Sequence, residues 1–312
     1  MEDFPKSLQE MESWFATEKA CQEYLIKLRW PSGFHCPRCR SKKAWVRSNG
    51  LFECSNCHLQ TSVTAGTIFQ DTKKPLSLWF KAMWHITSQK YGANALGVQR
   101  ELNLGSYRTA WTWLHKLRRA MIRPDRDLLS GTIQVDETFI GGPKEGKRGR
   151  GAEGKVLVLI LVQGEKKIGR IRLCVIPDAS AESLVPEIQK NVSPGSTVLT
   201  DGWLGYSKQL EKSGYIHEVI RDTIRVGDDL LPKCHLVASL LKRWLLGTHQ
   251  GAVSPEHLAY YLDEFTFRFN RRTSASRGKL FYRLVQQAVA IDPVPLMTMT
   301  QNARGRKPNH NL

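Results

Sequence analysis

Cys36-Pro-Arg-Cys39 and Cys54-Ser-Asn-Cys57 constrain this chain more than any other feature. Each C-x-x-C pair sets two sulfurs where they can bite one metal ion, and a second pair brought across a hairpin completes a closed tetrahedral site. Fourteen residues separate the pairs, among them Trp45, Val46, Asn49-Gly50 and Phe52. These read as two short strands joined by a type I′ turn, because Asn-Gly tolerates positive φ at both central positions. Residues 31–67 are therefore expected to form a zinc ribbon whose structural Zn²⁺ is held by Cys36, Cys39, Cys54 and Cys57. A redox pair is the weaker reading, since the motif is doubled and no thioredoxin-like pattern surrounds it. His35 and His58 flank the site as surface residues or reserve ligands. Cys21, Cys174 and Cys234 read as ordinary buried thiols.

The 312 residues allow two or three domains, and 41% apolar content is ordinary for a globular chain. A formal net charge of +17 is not ordinary. It builds a positive field that favours a polyanion, most simply nucleic acid. Residues 1–23 hold six acids against two lysines, whereas residues 24–130 hold 18 basic and 5 acidic side chains. The footprint for DNA is thus densest in the first half. No run of 18 apolar residues occurs and the first residues are acidic, so neither a membrane span nor a secretion leader is expected. A cytoplasmic protein with reduced thiols and no membrane partner follows.

Around the cysteines the pattern is helical. A leader over residues 1–30 repeats Leu8, Met11, Trp14, Phe15, Leu25 and Ile26 at helical spacing and stops at Trp30-Pro31. Residues 68–130 carry three helical segments: Leu76–Gln89, Asn94–Leu102 and Ser106–Ile122. Asn103-Leu104-Gly105 with Ser106 as N-cap makes the last two resemble a helix-turn-helix. On the second helix Arg108, Lys116, Arg118 and Arg119 are the candidate DNA contacts. The competing reading is a plain helical bundle with a solvated basic face. Trp79, Trp84, Trp111 and Trp113 fit a core better than base-stacking platforms.

From Thr132 the period changes to that of strands. Ile133 and Val135 open one; Val156–Val162, Ile171–Ile176, Thr197–Thr200 and His217–Arg221 read as others. Between them lie a loop rich in Gly and Lys/Arg (Gly141–Gly154), helices over Ala181–Lys190 and Trp203–Ser213, and a polar loop. Helices over His235–Leu246 and Pro255–Phe269 follow. An α/β domain is expected over residues 131–290, and a basic flexible tail over 291–312.

Asp136 stands at the expected end of the first of these strands and Asp201 at the end of a later one. Two carboxylates at adjacent strand ends can hold divalent ions around a phosphate, one ion activating a hydroxyl and the other stabilising the leaving oxygen. His235 opens a helix 34 positions after Asp201. Lys242, two turns further, faces the same way and can clamp a DNA backbone.

At these residues the chain resembles the bacterial insertion-sequence transposases of the DDE type, in the zinc-ribbon-bearing group numbered fifteen-ninety-five. The resemblance runs from about Asp3 to Arg283. It rests on Phe34-His-Cys-Pro-Arg-Cys39, Val135-Asp-Glu-Thr-Phe-Ile-Gly-Gly142, Thr200-Asp-Gly-Trp203, Leu240-Leu-Lys-Arg-Trp-Leu-Leu-Gly-Thr-His249 and Tyr261-Leu-Asp-Glu-Phe-Thr-Phe-Arg-Phe-Asn-Arg-Arg272. It implies an RNase H-like α/β core in a multidomain chain, Mg²⁺- or Mn²⁺-dependent cleavage at element ends, and joining of those ends to target DNA. The implied partner is double-stranded DNA, as terminal inverted repeats and target, bound by a homodimer or larger assembly in the bacterial nucleoid. Where the group's pattern expects a third acid, His235 stands. Imidazole suits Mg²⁺ less well than an oxygen ligand, so Asp263 and Glu264 on the next helix are reserve candidates. Glu137 supports Asp136 from behind, since strand neighbours face opposite ways. Lys242, Arg243, Arg268, Arg271 and Arg272 are assigned to DNA phosphates, and Trp203, Tyr206 and Trp244 either stack on bases or fill a core. Two rival functions remain in view: a non-catalytic DNA-binding regulator, including a decayed transposase, and a nuclease that cuts without joining.

Overall fold

Ser7 and Thr17 each turn a hydroxyl back onto a helix start, Ser7 accepting from the Glu10 N–H and Thr17 from that of Ala20. The helical leader expected over residues 1–30 is consequently two helices, α1 (Leu8–Trp14) and α2 (Glu18–Arg29). The computed structural model describes residues 2–123, 125–141, 155–206, 209–220, 230–251 and 253–301. All but Gly141 of the Gly- and Lys/Arg-rich loop, residues 221–229 and residues 302–312 of the basic tail lie outside the described residues. Two compact units divide the chain: one takes residues up to Arg123 and those from Ser274, the other runs from Pro124 to Thr273.

In the first unit β1 (Ala44–Val46), β2 (Phe52–Cys54) and β3 (Gln60–Thr61) form an antiparallel sheet in that order. The hairpin turn is not the expected type I′. Gly50 N–H donates to Arg47 O, Arg47 N–H to Leu51 O, and Gly50 takes φ 79° while Asn49 stays at negative φ. This is a wider turn closed by a glycine bulge, in which one residue rather than two bears the left-handed conformation. Three helices follow: α3 (Leu76–Ser88), α4 (Ala95–Glu101) and α5 (Tyr107–Ala120). Pro75 offers α3 no side-chain cap, and both oxygens of Glu18 accept from the Leu76 N–H instead (3.1 and 2.8 Å). Asn94 and Ser106 cap α4 and α5, and Asn103 at φ 48° makes the tight link between them. Trp79 and Trp113 stack at 3.9 Å, and both are buried with Trp84.

The second unit is built on a five-stranded mixed sheet. Its strands are β4 (Thr132–Ile140), β5 (Val156–Gln163), β6 (Ile171–Ile176), β7 (Thr197–Thr200) and β8 (Ile216–Val219). Their order is β6-β5-β4-β7-β8: β4, β5 and β6 are antiparallel, while β7 runs parallel to β4 and β8 parallel to β7. Between β6 and β7 lies α6 (Ala181–Asn191). Between β7 and β8, a one-turn 3₁₀ helix (Leu204–Tyr206) and the short α7 (Gln209–Lys212) stand within the span expected as one helix, Trp203–Ser213. Two longer helices close the unit, α8 (Pro232–His249) and α9 (Leu258–Phe269). Alternate residues of β5 explain the layering. Leu157, Leu159 and Leu161 pack with α6, whereas Val158, Ile160 and Val162 pack with α8 and α9. Covered on both faces, β5 needs no polar side, hence its unbroken apolar run.

The chain then returns to the first unit with α10 (Arg277–Ala288) and α11 (Leu296–Gln301). The second domain, expected to reach residue 290, ends at Thr273 because the apolar stripe of α10 finds its partner elsewhere. Phe281 packs against Phe15, Phe80 and Trp84, and Ile68 N–H donates to Ala288 O. Residues 291–301, expected as flexible tail, bury Ile291, Val294 and Met299. Among the described residues no helix is long and apolar enough to cross a membrane.

Ile160 is fully buried in the face that α8 and α9 cover. Ile160→Ala is expected to destabilise the second unit by about 3 kcal/mol. Hydrogen exchange should accelerate in β4–β7 and leave α3 and α5 unchanged; equal acceleration in both would show that the units do not open separately.

Candidate active site and metal centre

The two ladders of β4 differ in length. With β7 it pairs only from Thr132 to Gln134, yet with β5 it continues to Ile140. Asp136, expected at a strand end, is thus mid-strand, just past the point where β7 stops pairing. Gln134 lies opposite Leu199, so two residues further on Asp136, still within β4, stands at the level where Asp201 leaves β7. Ile133, Val135 and Val198 point to the α6 side, and alternation turns Asp136 to the face that α8 covers. Asp201 follows β7 directly. Its Oδ1 accepts the Trp203 N–H at 3.0 Å, and Gly202 turns the chain at φ 84°, where a Cβ would lie 2.7 Å from Val219.

The start of α8 is fastened over this point. Lys233 N–H donates to Gln134 Oε1 at 3.1 Å, and Cys234 is buried against β5. His235 then reaches β4, with Nε2 3.2 Å from Asp136 Oδ2. The His235 side chain is 54% exposed and that of Asp136 16%. Burial pushes the Asp136 carboxyl up to about 6; the Glu137 N–H, donating to Oδ1 at 2.8 Å, and His235 oppose the shift, while the charges of Glu137 and Asp201 add to it. Crowded acids of this kind gain from a cation, and two carboxylates with one imidazole are a fitting donor set for a divalent ion. Among the described residues the three do not close to within 4.8 Å of one another, as the cysteine sulfurs do.

Glu137 faces away from Asp136, and its Oε2 accepts the Tyr206 hydroxyl at 2.6 Å. Tyr206 is fully buried and Trp244 nearly so, which removes both as exposed stacking platforms; Trp203 donates its ring N–H to Ala179 O. The reserve acids stand elsewhere. They lie on α9, which packs on β6, two strands from β4. Glu264 is fully buried and pairs with Arg268 at 3.6 Å.

The basic candidates separate in the same way. Arg108 and Arg119 are exposed on α5, Lys242 and Arg243 on α8. Lys116 is half-buried, and its desolvation lowers its pKa. Arg118 is a correction: 1% exposed, it donates to Ala93 O and braces the helical module from inside. It lies four residues after Leu114 on the buried side of α5, a placement that a run of charges does not reveal. Arg268 is a second correction, largely buried by its pairing with Glu264. Arg271 donates to Phe267 O, and Arg272 to Phe269 O, Gly169 O and Ile168 O, so both fasten the end of α9. Asn270, given no role of its own by the sequence, bonds both the N–H and the C=O of Ile171.

The cysteines form the second centre. Both knuckles follow one backbone trace: Arg40 N–H donates to Cys36 O and His58 N–H to Cys54 O, with Arg40 and His58 at φ 62° and 56°. All four sulfurs lie within 4.8 Å of one another, with Cys36–Cys57 and Cys39–Cys54 at 3.5 Å. Sulfurs about 2.3 Å from a tetrahedral Zn²⁺ stand about 3.8 Å apart, so the cluster fits zinc. Hydrogen bonds from Ser41 and Asn56 draw Cys39 down to about 6. Cys57, despite the Leu59 N–H, is pushed up to about 12 by desolvation and by its sulfur neighbours. A dication removes that conflict. Phe34 and Phe52, stacked at 5.5 Å, back the site with Trp30. The full-length protein is expected to carry one Zn²⁺ per chain, and Cys39→Ser to lose it with faster amide exchange over residues 44–61. Elemental analysis without zinc, on protein never exposed to chelator, would overturn this.

Comparison with known proteins finds a matching domain in each of these two regions. Residues 128–270 match the ISXO2-like transposase domain, and residues 16–60 match the transposase zinc-ribbon domain. An uncharacterised protein in transposable element ISH50 of Halobacterium salinarum is 28% identical over 288 residues, spanning 81% of this chain and 91% of that protein. With the two domain models matched in chain order over more than half its length, the chain belongs to the ISXO2-like family of insertion-sequence transposases that carry a zinc ribbon.

Proposed function

We propose that this protein cleaves DNA at the ends of an insertion sequence and joins those ends to target DNA, with Asp136, Asp201 and His235 as ligands of a divalent cation. The observation that carries the reading is the meeting of His235 Nε2 with Asp136 Oδ2 at 3.2 Å, at the level where Asp201 leaves β7. The strand order β6-β5-β4-β7-β8, antiparallel on one side of β4 and parallel on the other, supports an RNase H-like core.

Asp136, Asp201 and His235 would hold Mg²⁺ or Mn²⁺, which would supply Lewis acidity toward a water or 3′-hydroxyl and toward the departing oxygen. The protein's part is placement. Asp136 and Asp201 are fixed by adjacent strands, and His235 by the fastened start of α8. Lys242, seven residues after His235 on the same side of α8, takes a phosphate close to the reacting one, and Arg243 extends the basic surface. In the first unit the link between α4 and α5 suits helix-turn-helix reading of the element ends, with Arg108 and Arg119 on the backbone. Two or more copies acting together would bring paired ends to one target.

With a duplex carrying the element's terminal repeat, Asp201→Asn should abolish cleavage and leave DNA affinity within about twofold, because it removes a ligand and not a contact surface. His235→Ala should lower cleavage by about 100-fold or more, while His235→Glu should retain activity with Mg²⁺. Wild-type binding without cleavage in Mg²⁺ or Mn²⁺ would favour the regulator. Cut ends without joined product would favour the nuclease.

A further inference from the structure

The hydrogen bonds between β4 and β7 stop at Gln134 and Leu199, short of both aspartates. What next ties the two segments is a side-chain bond. Tyr206, five residues after Asp201, donates its hydroxyl at 2.6 Å to Glu137, the residue after Asp136. Each end is itself braced. Tyr206 is fully buried, and its N–H donates to Trp203 O, while Trp203 N–H donates to Asp201 Oδ1. At the other end the Glu137 peptide N–H donates to Asp136 Oδ1 at 2.8 Å. The path from one aspartate to the other therefore runs through Trp203, Tyr206 and Glu137.

We propose that Tyr206 and Glu137 form a clasp that sets the spacing of Asp136 and Asp201, and that Glu137 supplies the site with the negative charge that a histidine at position 235 does not. Glu137 is a positioning residue here, not a ligand. It points to the α6 side of the sheet while Asp136 points to the α8 side. Two carboxylates and a neutral imidazole carry one negative charge fewer than three carboxylates. A further carboxylate one residue behind Asp136, in a half-buried place where screening is weak, restores attraction for a dication without occupying a coordination position.

The inference rests on reading Asp136, Asp201 and His235 as ligands, and the test separates the two. Mn²⁺ binding to the full-length, zinc-loaded protein would be followed by electron paramagnetic resonance, with Asp136→Asn as reference. Glu137→Gln keeps shape and a hydrogen-bond acceptor but removes the charge, and is expected to weaken Mn²⁺ binding about tenfold. Glu137→Asp, which keeps the charge, should recover much of that loss. Tyr206→Phe keeps the charge but opens the clasp, and should broaden the bound Mn²⁺ signal with a smaller loss of affinity. Melting temperature and zinc content of each variant identify any that fails to fold. Unchanged Mn²⁺ affinity in Glu137→Gln, beside lost binding in Asp136→Asn, overturns the clasp and leaves the ligand set standing. Unchanged binding in Asp136→Asn overturns both.

Discussion

On the β5 side β4 is held along nearly its whole length, and on the β7 side only at its beginning. This inequality governs the second unit. A strand paired fully on both sides would run its neighbours past Asp136 and leave no gap at its level. A strand ending with β7 would lose the rigid support that β5 gives it. As built, Asp136 sits on a backbone fixed by an antiparallel ladder, at the edge of the opening where β7 turns away. Gly202 permits that turn, Gln134 fastens α8 beside it, and the Tyr206–Glu137 bond bridges the opening from the other face.

The first unit answers a different problem, a large positive charge. Its acidic leader does not simply offset that charge from a distance. Glu18 caps α3, Glu12 pairs with Lys81, and Glu2 pairs with Lys279 and Arg283 of α10. The acids are spent on particular helices of the scaffold, whereas Arg108 and Arg119 of α5 remain exposed. Charge is thereby offset on the scaffold helices and kept where a polyanion can reach it.

How far the sequence reveals this depends on the range of the interaction concerned. The ribbon is legible because two C-x-x-C pairs allow few geometries, and the placement of Asp136 and Asp201 at neighbouring strands is legible because strand and acid coincide. The turn at Asn49-Gly50 is misread because the same dipeptide serves two hairpin types, and loop length decides between them. Arg118 and Arg268 look like surface cations because a charge pattern carries no burial; only the partners Ala93 and Glu264, far apart or paired in the core, reveal it. The Tyr206–Glu137 bond spans 69 positions, beyond any local signal. The stripe on α10 is plainly amphipathic, but a stripe does not name what it packs against.

That stripe has a consequence for synthesis. Since α10 completes a unit begun before Arg123, the whole of the second unit is inserted within the first. A ribosome must make the sheet before it makes the helix that covers Phe15, Phe80 and Trp84. Until then a nascent chain shows those aromatics to solvent and to chaperones. A product truncated before α10 would retain the ribbon and the α4–α5 pair but lack the helix that covers this aromatic surface.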